Sequence, residues 1–597
     1  MMTPEIFIQA KAAEAIKALY GAEIQPSDLQ VQVTRKEFEG DYTLVIFPLL
    51  RISHSAPENT GNAIGEWLVA NAPEISAYNS VKGFLNLLFS PVWWDNVFAE
   101  IAGNDDFGQL PPTGRRIMVE FSSPNTNKPL HLGHIRNNLL GDSVSRLLKA
   151  NGNEVIKATL VNDRGIHICK SMLAWEKAFD GKTPESTGIK GDHLVGDCYV
   201  EFNNIYTKEV KELIASGMSE DDAKKEAPCL KEAHEMLVKW ENEDKAVRDL
   251  WSMMNSWVFA GFDETYRSLG ISFDKVDYEH DTYLLGKSLV QKGLDSGVFV
   301  KDPDGSVWCD LTEDGLDRKL VLRGDGTSVY ITQDLGTAER RFAQHELDSH
   351  VYVVGNEQDY HFQVLKLILK KLGFDWADQI YHLSYGMVEL PEGKMKSREG
   401  TVVDADDLIQ KMYEEAKATS EESGKLADMD EQEKERLYHM IGLGALKYFI
   451  IKVDPRKTML FNPKESIDFN GNTGPFIQYT HARIRSILRK ADEQGYKYDA
   501  SVVTSDLVPS AKEVRLIKLL NILPAKVAEA GNELSPAVLA NYSYELAKDF
   551  NQYYHDTPIL KEENKQILEF RLALISSVAK ALVKAMGILG IELPERM

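Results

Sequence analysis

Residues 116–161 alternate between extended and helical patterns in a way that a parallel β-sheet accommodates best. RIMVEF is a short apolar segment, and EVIKATLV is a second one. Between them, LGHIRNNLLGDSVSRLLKANG places apolar residues near a 3.6-residue period, and Gly152 follows its last turn. A strand, a helix and a second strand in this order form a βαβ unit with parallel strands. The pattern predicts an α/β domain with a Rossmann-like parallel sheet.

The turn between that strand and its helix, EFSSPNTNKPLHLGH at 120–134, is dense in hydrogen-bonding groups. Ligands bind at the carboxyl ends of strands in open parallel sheets, and a helix amino end favours anions. His131 and His134 lie three residues apart, so both can donate hydrogen bonds to phosphate oxygens, and Gly133 permits close approach. A pair of capping histidines is the alternative. Four more polar side chains in the turn favour function: Ser122, Ser123, Asn125 and Lys128.

A basic loop, GKMKSREGT at 393–401, follows another apolar segment, IYHLSYGMV. Its lysines, Lys394 and Lys396, suit a triphosphate because lysine supplies a compact positive charge. An ordinary exposed basic loop is the alternative interpretation. The position of the loop after a strand of the same sheet favours phosphate binding.

Four further side chains are predicted at strand ends or at the start of the following helix: Glu120, Tyr330, Asp334 and Gln358. Two carboxylates can grip a guanidinium in a forked geometry, and they reject a neutral analogue. The alternative is that Asp334 caps a helix beginning near residue 335 and that Glu120 faces solvent. The residues alone leave both interpretations open.

Changes in composition and in the strand and helix patterns along the chain predict separate structural units. The segment DDFGQLPPTG is typical of a linker, and strand–helix alternation resumes with SVWCDLT and SVYITQDLGTAERRF after a charged, mostly helical insertion. No strands are expected beyond residue 405. The predicted units are an N-terminal α+β domain at 1–105, the parallel-sheet domain at 106–404 with its insertion at 171–295, a helical connector at 405–460, and an all-α helix bundle at 461–597.

Charge and cysteine usage narrow the function classes. With 68 Lys and Arg against 91 Asp and Glu, the net charge of −23 argues against a nucleic-acid coat protein, although a local basic face remains compatible with RNA binding. We expect no membrane span, since no apolar stretch reaches about 18 residues. We also expect neither a structural zinc site nor a disulfide framework, because the four cysteines are scattered and form no C-x-x-C pair. A metal site at the two histidines is not expected either, because no nearby carboxylate completes a ligand set. Reduced thiols and the absence of a signal or transit pattern predict a cytoplasmic protein.

A last segment, GPFIQYTHARIRSILRK at 474–490, opens a helix that carries basic and aromatic residues. Arg483, Arg485 and Tyr479, with Tyr553 further along, could hold unpaired RNA bases. Aromatic residues at such spacing are also typical of the core of a helix bundle.

Taken together, these segments resemble the arginyl-tRNA synthetases of class I. The resemblance rests on SSPNTNKPLHLGH, on VNDRG at 161–165, on the Tyr330-x-x-x-Asp334-Leu-Gly and Gly355-x-x-Gln358 patterns, on GPFIQYTHARIRS, and on the ending LGIELPERM. It covers nearly the whole chain in order and spacing.

The resemblance implies that ATP, accompanied by Mg²⁺, activates L-arginine and that the arginyl group passes to the terminal adenosine of tRNA(Arg). It implies catalytic roles for His131, His134, Lys128, Lys394 and Lys396. It implies ATP contacts for His131, Gly133, His134, Met387, Lys394, Lys396 and Ser397. It implies arginine contacts for Glu120, Ser123, Asn125, His134, Tyr330, Asp334 and Gln358. It also implies contacts to tRNA through residues 1–105 at the elbow and through Tyr479, Arg483, Arg485 and Tyr553 near the anticodon, in a monomeric enzyme.

Two positions depart from the family pattern. The K-M-S-K-S loop reads KMKSREG, which leaves open which lysine acts, and Lys128 can share that role. Gln333 stands where the family commonly has arginine. Two alternative functions also stay open, namely a different class I synthetase and a non-catalytic tRNA-binding paralogue.

Overall fold

The computed structural model describes residues 3–597, apart from 36, 180, 390–402, 423–425, 427–428 and 504–506. The predicted basic loop, with Lys394, Lys396 and Ser397, therefore lies outside the described residues. Within the described part of the chain, every helix is too short or too polar to cross a membrane.

The N-terminal unit is an antiparallel sheet with helices, which agrees with the predicted α+β class. Its sheet has the strand order β1-β2-β4-β3. The bounds are α1 Pro4–Tyr20, β1 Val31–Val33, β2 Tyr42–Val45, α2 Leu50–Ser53, α3 Pro57–Asn71, β3 Ile75–Val81, β4 Phe84–Phe89 and α4 Pro91–Ala102. Phe89 stacks on Trp93, with ring centroids 4.7 Å apart, and this contact joins the sheet to α4.

The central unit is built on a parallel sheet with the strand order β12-β11-β5-β6-β7. All neighbouring strands in it run parallel, which confirms the predicted α/β class. The bounds are β5 Arg116–Glu120, α5 Leu132–Ala150, β6 Glu154–Val161, α6 Ile166–Ala178, α7 Pro184–Thr187, α8 Gly191–Ala215, α9 Glu220–Glu226, α10 Pro228–Glu241, α11 Lys245–Leu269, β7 Lys275–Tyr278, α12 Glu279–Thr282, α13 Lys287–Asp295, β8 Phe299–Lys301, β9 Val307–Cys309, β10 Lys319–Leu322, α14 Tyr330–His345, β11 Ser349–Gly355, α15 Asp359–Lys371, β12 Ile380–Tyr385 and β13 Val388–Glu389.

Three predictions in this unit were wrong in detail. Strand β7 joins the parallel sheet although the predicted insertion, 171–295, includes it. The segment SVWCDLT contributes β9 to a separate antiparallel sheet with the order β10-β9-β8, not to the parallel sheet. The segment SVYITQD contains no strand, because α14 begins at Tyr330, and Asp334 therefore lies inside that helix and does not cap it.

The C-terminal unit is a helix bundle, as predicted. The bounds from the connector onward are α16 Ala405–Glu422, α17 Glu431–Ile451, β14 Met459–Leu460, α18 Pro463–Ser466, α19 Gly474–Glu493, α20 Ala511–Asn521, α21 Leu523–Asn532, α22 Pro536–Asp556 and α23 Lys565–Ile588. The prediction of no strand beyond residue 405 was wrong, since β14 pairs in parallel with β13. The bundle surrounds fully buried apolar side chains, among them Leu546, Phe550 and Leu574.

Candidate active site

Polar side chains cluster just after the carboxyl ends of the parallel strands. Glu120 ends β5, Asn162 follows β6, Glu279 follows β7, and Gln358 lies three residues after β11. Strands that run parallel bring these ends to one edge of the sheet, where open α/β sheets bind ligands. This edge is therefore the candidate active site.

The histidine turn at the start of α5 fixes the orientation of both imidazoles. Nδ1 of His131 accepts the N–H of Gly133 at 3.1 Å, and Nδ1 of His134 accepts the N–H of His131 at 3.1 Å. A neutral imidazole that accepts at Nδ1 carries its proton on Nε2. Capping and a functional role are therefore compatible in the same two residues, since each imidazole carries its proton on Nε2.

Burial keeps both rings uncharged at neutral pH. Burial and the nearby Lys128 charge lower the pKa of His131 to about 4, and burial sets the pKa of His134 well below its ordinary value. The ring centroids lie 4.0 Å apart. Burial also lowers the pKa of Lys128, whose charge acts on both histidines. The turn therefore offers two neutral donors beside a cation, an arrangement that suits phosphate oxygens.

The serines before the turn adopt a strained backbone that Asn137 stabilises. Ser122 and Ser123 have φ angles of +72° and +46°, a left-handed region that non-glycine residues rarely occupy. Oδ1 of Asn137 accepts the N–H of Ser122 at 2.5 Å, and its Nδ2 donates to the carbonyl of Val353 at 2.7 Å. Strain of this kind concentrates at functional sites and persists only where neighbours hold it. Here Asn137 links α5, β11 and the serine turn.

A cavity of about 260 Å³, which we call the histidine cavity, opens at this turn. Its lining includes Glu120, Ser122, Ser123, His131, Gly133, His134, Asn137, Tyr385, Met387 and Val388. The structure thus brings together six of the residues predicted to contact ATP or arginine: Glu120, Ser123, His131, Gly133, His134 and Met387. Val388 lines this cavity two residues before the segment 390–402, and Val403, directly after that segment, accepts the N–H of Leu132 at 3.0 Å. One described flank of the basic loop therefore lines the cavity, and the other binds the backbone of the histidine turn.

Glu120 has a guanidinium partner inside the protein. Its carboxylate accepts hydrogen bonds from Arg341 of α14 and from the hydroxyl of Ser123, the latter at 3.2 Å. Arg341 also donates to Asp277 of β7 at 2.9 Å. Glu120 is only 8% exposed, so it does not face solvent. Arg341 therefore occupies the carboxylate that was predicted to bind the guanidinium of a substrate, and the sequence did not indicate this internal pair.

A second, larger cavity of about 990 Å³, the glutamate cavity, is lined by a carboxylate that was not among the residues predicted from the sequence. Glu279 lines it together with Asn125, Tyr330 and Gln333. Burial and the charge of Asp163 raise the pKa of Glu279 to about 7, although Arg164 opposes the shift. A carboxylate with such a pKa in a cavity is a functional-site candidate. The sequence signal for Glu279 was its position directly after the strand KVDY. That strand was not predicted, because it lies within the segment assigned to the helical insertion.

Asp334 lies close enough to Glu279 for its charge to contribute to that raised pKa. Its Oδ2 is 2.6 Å from Nε2 of His361 on α15, and its charge also acts on the buried Tyr352. The other predicted pocket residues, Tyr330 and Gln358, are exposed, Tyr330 by 79%. Asp334 and Gln358 do not line either cavity as described.

Gln333 connects the two helices that carry these carboxylates. Its Nε2 donates to Oγ1 of Thr282 at 3.0 Å, which joins α14 to α12, the short helix that begins with Glu279. Gln333 is buried and also lines the glutamate cavity. In this chain, the amide of Gln333 therefore joins α14 to α12 at the position where the sequence departs from the pattern of the family it resembles.

On the bundle, the predicted RNA contacts separate into surface and core residues. The guanidinium of Arg483 lies 4.8 Å from the ring centre of Tyr479 and 5.4 Å from that of Tyr554, which is 38% exposed. Arg485 is paired with Glu595 at 2.6 Å. The prediction for Tyr553 was wrong, because this residue is 1% exposed and donates from its hydroxyl to Glu513 at 3.0 Å. Tyr554, its neighbour, faces solvent instead.

Comparison with known proteins places this geometry in a family. The model for "tRNA synthetases class I (R), catalytic domain" matches residues 101–462, and that for "DALR anticodon binding domain" matches residues 477–597. A protein of Bacteroides thetaiotaomicron named arginine–tRNA ligase is 56% identical over 595 residues, covering 98% of this chain and 99% of its own length. The chain belongs to the arginyl-tRNA synthetase family. A Porphyromonas gingivalis arginine–tRNA ligase is 55% identical over 592 residues, covering 99% of both chains.

Solved structures of arginyl-tRNA synthetases share the fold. The Thermus thermophilus enzyme has a TM-score of 0.79 at 24% identity, with all of both chains covered. The Plasmodium falciparum enzyme has a TM-score of 0.74 at 19% identity and covers 99% of this chain. The family resemblance inferred from the sequence is confirmed, and the parallel sheet, its helical insertion and the C-terminal bundle are those of an arginyl-tRNA synthetase.

Proposed function

We propose that this family member acts as an arginine–tRNA ligase that selects L-arginine through Glu279, which lines the glutamate cavity, and through the neighbouring Asp334, which lies outside that lining. The observation that carries the proposal is that Gln333, next to Asp334 on α14, binds Thr282 of α12, so that Asp334 lies near Glu279 at the edge of the sheet that also bears the histidine turn. Two carboxylates in one site attract a guanidinium and leave a neutral analogue without compensating charge. Glu120 takes no part in gripping the substrate guanidinium in this proposal, because Arg341 already occupies its carboxylate.

The remaining arginine contacts follow from position. Asn125 lines the glutamate cavity and Ser123 lines the histidine cavity, so the turn 123–125 lies between the two and can hold the α-amino and carboxylate groups. Tyr330 offers an exposed ring at the mouth, and His134 lines the histidine cavity. The exposed Gln358 follows β11 at the same edge. The carboxylate of arginine would then point from the glutamate cavity toward the imidazoles.

ATP, as its Mg²⁺ complex, would bind at the histidine cavity. The carboxylate of arginine attacks the α-phosphorus, the bond to the β-phosphate oxygen breaks, and pyrophosphate leaves. His131 and His134 would each donate an Nε2–H to oxygens of the transferring phosphate, where negative charge grows. Lys128, Lys394, Lys396 and Ser397 would hold the phosphates that leave, and Gly133 and Met387 would flank the nucleotide.

The arginyl group would then pass to the terminal adenosine of tRNA(Arg). On the bundle, we assign the anticodon region to the surface formed by Tyr479, Arg483 and Tyr554, because an accessible ring beside a guanidinium can stack on unpaired bases. Arg485, two residues beyond Arg483 on α19 and paired with Glu595, would make a separate contact with the tRNA. Residues 1–105 would contact the tRNA elbow.

Pyrophosphate exchange with each of the twenty amino acids, with and without tRNA, tests this function. Exchange with arginine alone among them is the expected result. Exchange with lysine or glutamine instead would assign the chain to another synthetase specificity. Silence with all twenty, while tRNA still binds, would make it a non-catalytic tRNA-binding protein.

We further propose that the enzyme acts as a monomer in the cytoplasm. Its four cysteines are buried free thiols, which suits a reducing compartment. Light scattering after size exclusion should give a mass near 67.2 kDa, and a mass twice as large would contradict the monomer.

A further inference from the structure

A charged cluster outside both cavities joins the insertion to the first turn of α16. Nζ of Lys190 lies 2.6 Å from Oδ2 of Asp406, and Nε2 of His193 lies 3.1 Å from the same oxygen. Oγ1 of Thr265, on α11, donates to Oδ1 of Asp406 at 2.8 Å. Although burial pushes the pKa of Asp406 upward, the hydrogen bonds from His193 and Lys190 lower it to about 2. Both oxygens of Asp406 are therefore held by insertion residues, and the carboxylate is charged at neutral pH.

The same turn of α16 is attached to the backbone of the histidine turn. The N–H of Leu132 donates to the carbonyl of Val403, and the N–H of Ala405 donates to the carbonyl of Leu130, both at 3.0 Å. His131 and Asp404 form an antiparallel bridge between these two bonds. Because the imidazole of His131 is fixed to its own turn through Nδ1, a shift of this backbone moves its Nε2–H as well.

The insertion also touches the histidine turn directly. A Cβ atom at Gly196 of α8 would lie 2.8 Å from Cδ of Pro129, so α8 packs against the backbone just before His131. Lys190 and His193 stand at the start of this helix. The histidine turn therefore contacts α8 and also the first turn of α16. Asp406 of α16 joins these two helices by binding Lys190 and His193 at the start of α8.

The cluster has the spacing of a metal site but already contains its cation. Ligand atoms of Asp192, His193 and Asp406 lie within 4.8 Å of one another. Nζ of Lys190, however, lies 3.4 Å from Asp192 and 2.6 Å from Asp406. Oδ1 of Asp192 faces α11, where a Cβ atom at Gly261 would lie only 2.3 Å from it. We therefore interpret the cluster as an ion-pair network.

We propose that Asp406 is a positioning residue for the ATP-dependent step, which holds the histidine turn in register between the insertion and α16. This inference rests on the proposed function, since it assigns Asp406 an effect through His131 and His134. Glu279 lies on α12 and Asp334 on α14, and neither helix takes part in the hydrogen bonds described for the cluster. Loss of Asp406 should accordingly impair the chemical step and ATP use while it spares arginine binding.

Asp406→Asn tests the proposal, with Asp407→Asn as the matched control. Asp407 is the next residue of α16 and is exposed. In pyrophosphate exchange, we expect Asp406→Asn to lower kcat about 10- to 100-fold, because misplacement by about 1 Å can reduce a rate by ~100-fold. The KM for ATP should rise several-fold, and the KM for arginine should stay within about twofold of wild type. Asp407→Asn should match wild type.

Several results would overturn the proposal. These are wild-type kcat in Asp406→Asn, an equal loss in Asp407→Asn, or a raised KM for arginine with kcat retained. If Asp406→Asn fails to fold, Thr265→Val is the second variant, because it removes one hydrogen bond to Asp406 at nearly constant side-chain volume. We expect Thr265→Val to lower kcat as well. A wild-type kcat in that variant would overturn the proposal. If wild type exchanges pyrophosphate with another amino acid, arginine specificity fails, while the same variants compared on that amino acid still decide the role of Asp406.

Discussion

Arg341 donates from its guanidinium to the carboxylate of Glu120, which also lines the cavity that holds His131 and His134. Its other partner is Asp277, whose strand leads directly into Glu279. One buried arginine of α14 thereby connects β5 and β7. This internal ion pair fixes the relative positions of the helix that carries Asp334 and the strand that precedes Glu279.

Arg341→Met should destabilise the sheet-bearing unit strongly. Removing Arg341 takes the arginine partner from the buried Glu120, whereas Asp277 keeps Arg340 at 2.8 Å. Breaking a buried ion pair in this way costs about 3–5 kcal/mol. Urea titration of the purified protein measures the loss as a lower unfolding midpoint. The control is Arg318→Met, which removes a partly exposed pair with Asp302 and should change stability by less than about 1 kcal/mol. Equal midpoints for the two variants would mean that the Arg341 network contributes no special stability.

Arginine binding should strengthen as pH rises through about 7. Burial raises the pKa of Glu279 to that value, so the carboxyl is neutral and weakly attractive below it and charged above it. The KM for arginine should therefore fall between pH 6 and pH 8, by up to about tenfold per unit on the acidic side. Glu279→Gln should raise the KM at pH 8 and abolish the trend. A pH dependence that persists unchanged in Glu279→Gln would assign it to another group.

Replacing either histidine should affect the chemical step more than binding. His131→Ala or His134→Ala removes one N–H donor from the transferring phosphate, which should lower kcat about 100- to 1,000-fold with smaller changes in either KM. The exposed His439, replaced by alanine, is the control. Because burial and the Lys128 charge set the pKa of His131 near 4, kcat at saturating substrates should show no histidine titration between pH 6 and pH 8. A titration that disappears in His131→Ala would contradict neutral donors.

Two adjacent tyrosines should differ sharply in their effect on tRNA. Tyr554→Ala removes an exposed ring beside Arg483, and one stacked base is worth about 1–3 kcal/mol, so the KM for tRNA should rise roughly 5- to 100-fold. Tyr553→Phe keeps a buried ring in the bundle core and should leave this KM unchanged. Charging assays at varied tRNA concentration separate the two. A raised KM in Tyr553→Phe, with Tyr554→Ala unaffected, would move the RNA contact away from this surface.

Local pattern was sufficient to predict the sheet and the histidine turn, because strand, helix and turn signals there lie within 46 residues, from 116 to 161. It failed where a tertiary partner decides the structure. KVDY is only four residues long and lies among charges, yet pairing with β6 makes it a strand. SVYITQD carries β-branched and aromatic residues that favour a strand, whereas α14 begins at Tyr330.

The candidate site shows the same division. Residues of the turn 120–134 gathered as predicted from the strand-end rule, whereas the pairing of Glu120 with Arg341 joins residues 221 positions apart. The local spacing of apolar residues cannot indicate a contact between residues so far apart in the sequence. The choice between Tyr553 and Tyr554 likewise depends on which side of α22 the bundle covers, and both positions are aromatic.

The most direct test of arginine selection by carboxylates is the ratio of kcat/KM for arginine to that for its neutral analogue citrulline, in wild type and in Asp334→Asn. Glu339→Gln, a change of another carboxylate on α14, is the control. We predict that wild type and the control prefer arginine by at least about 10,000-fold. Asp334→Asn should lose most of this preference because its kcat/KM for arginine falls, while its KM for ATP stays unchanged. An Asp334→Asn enzyme with the wild-type ratio would contradict the assignment of the pocket.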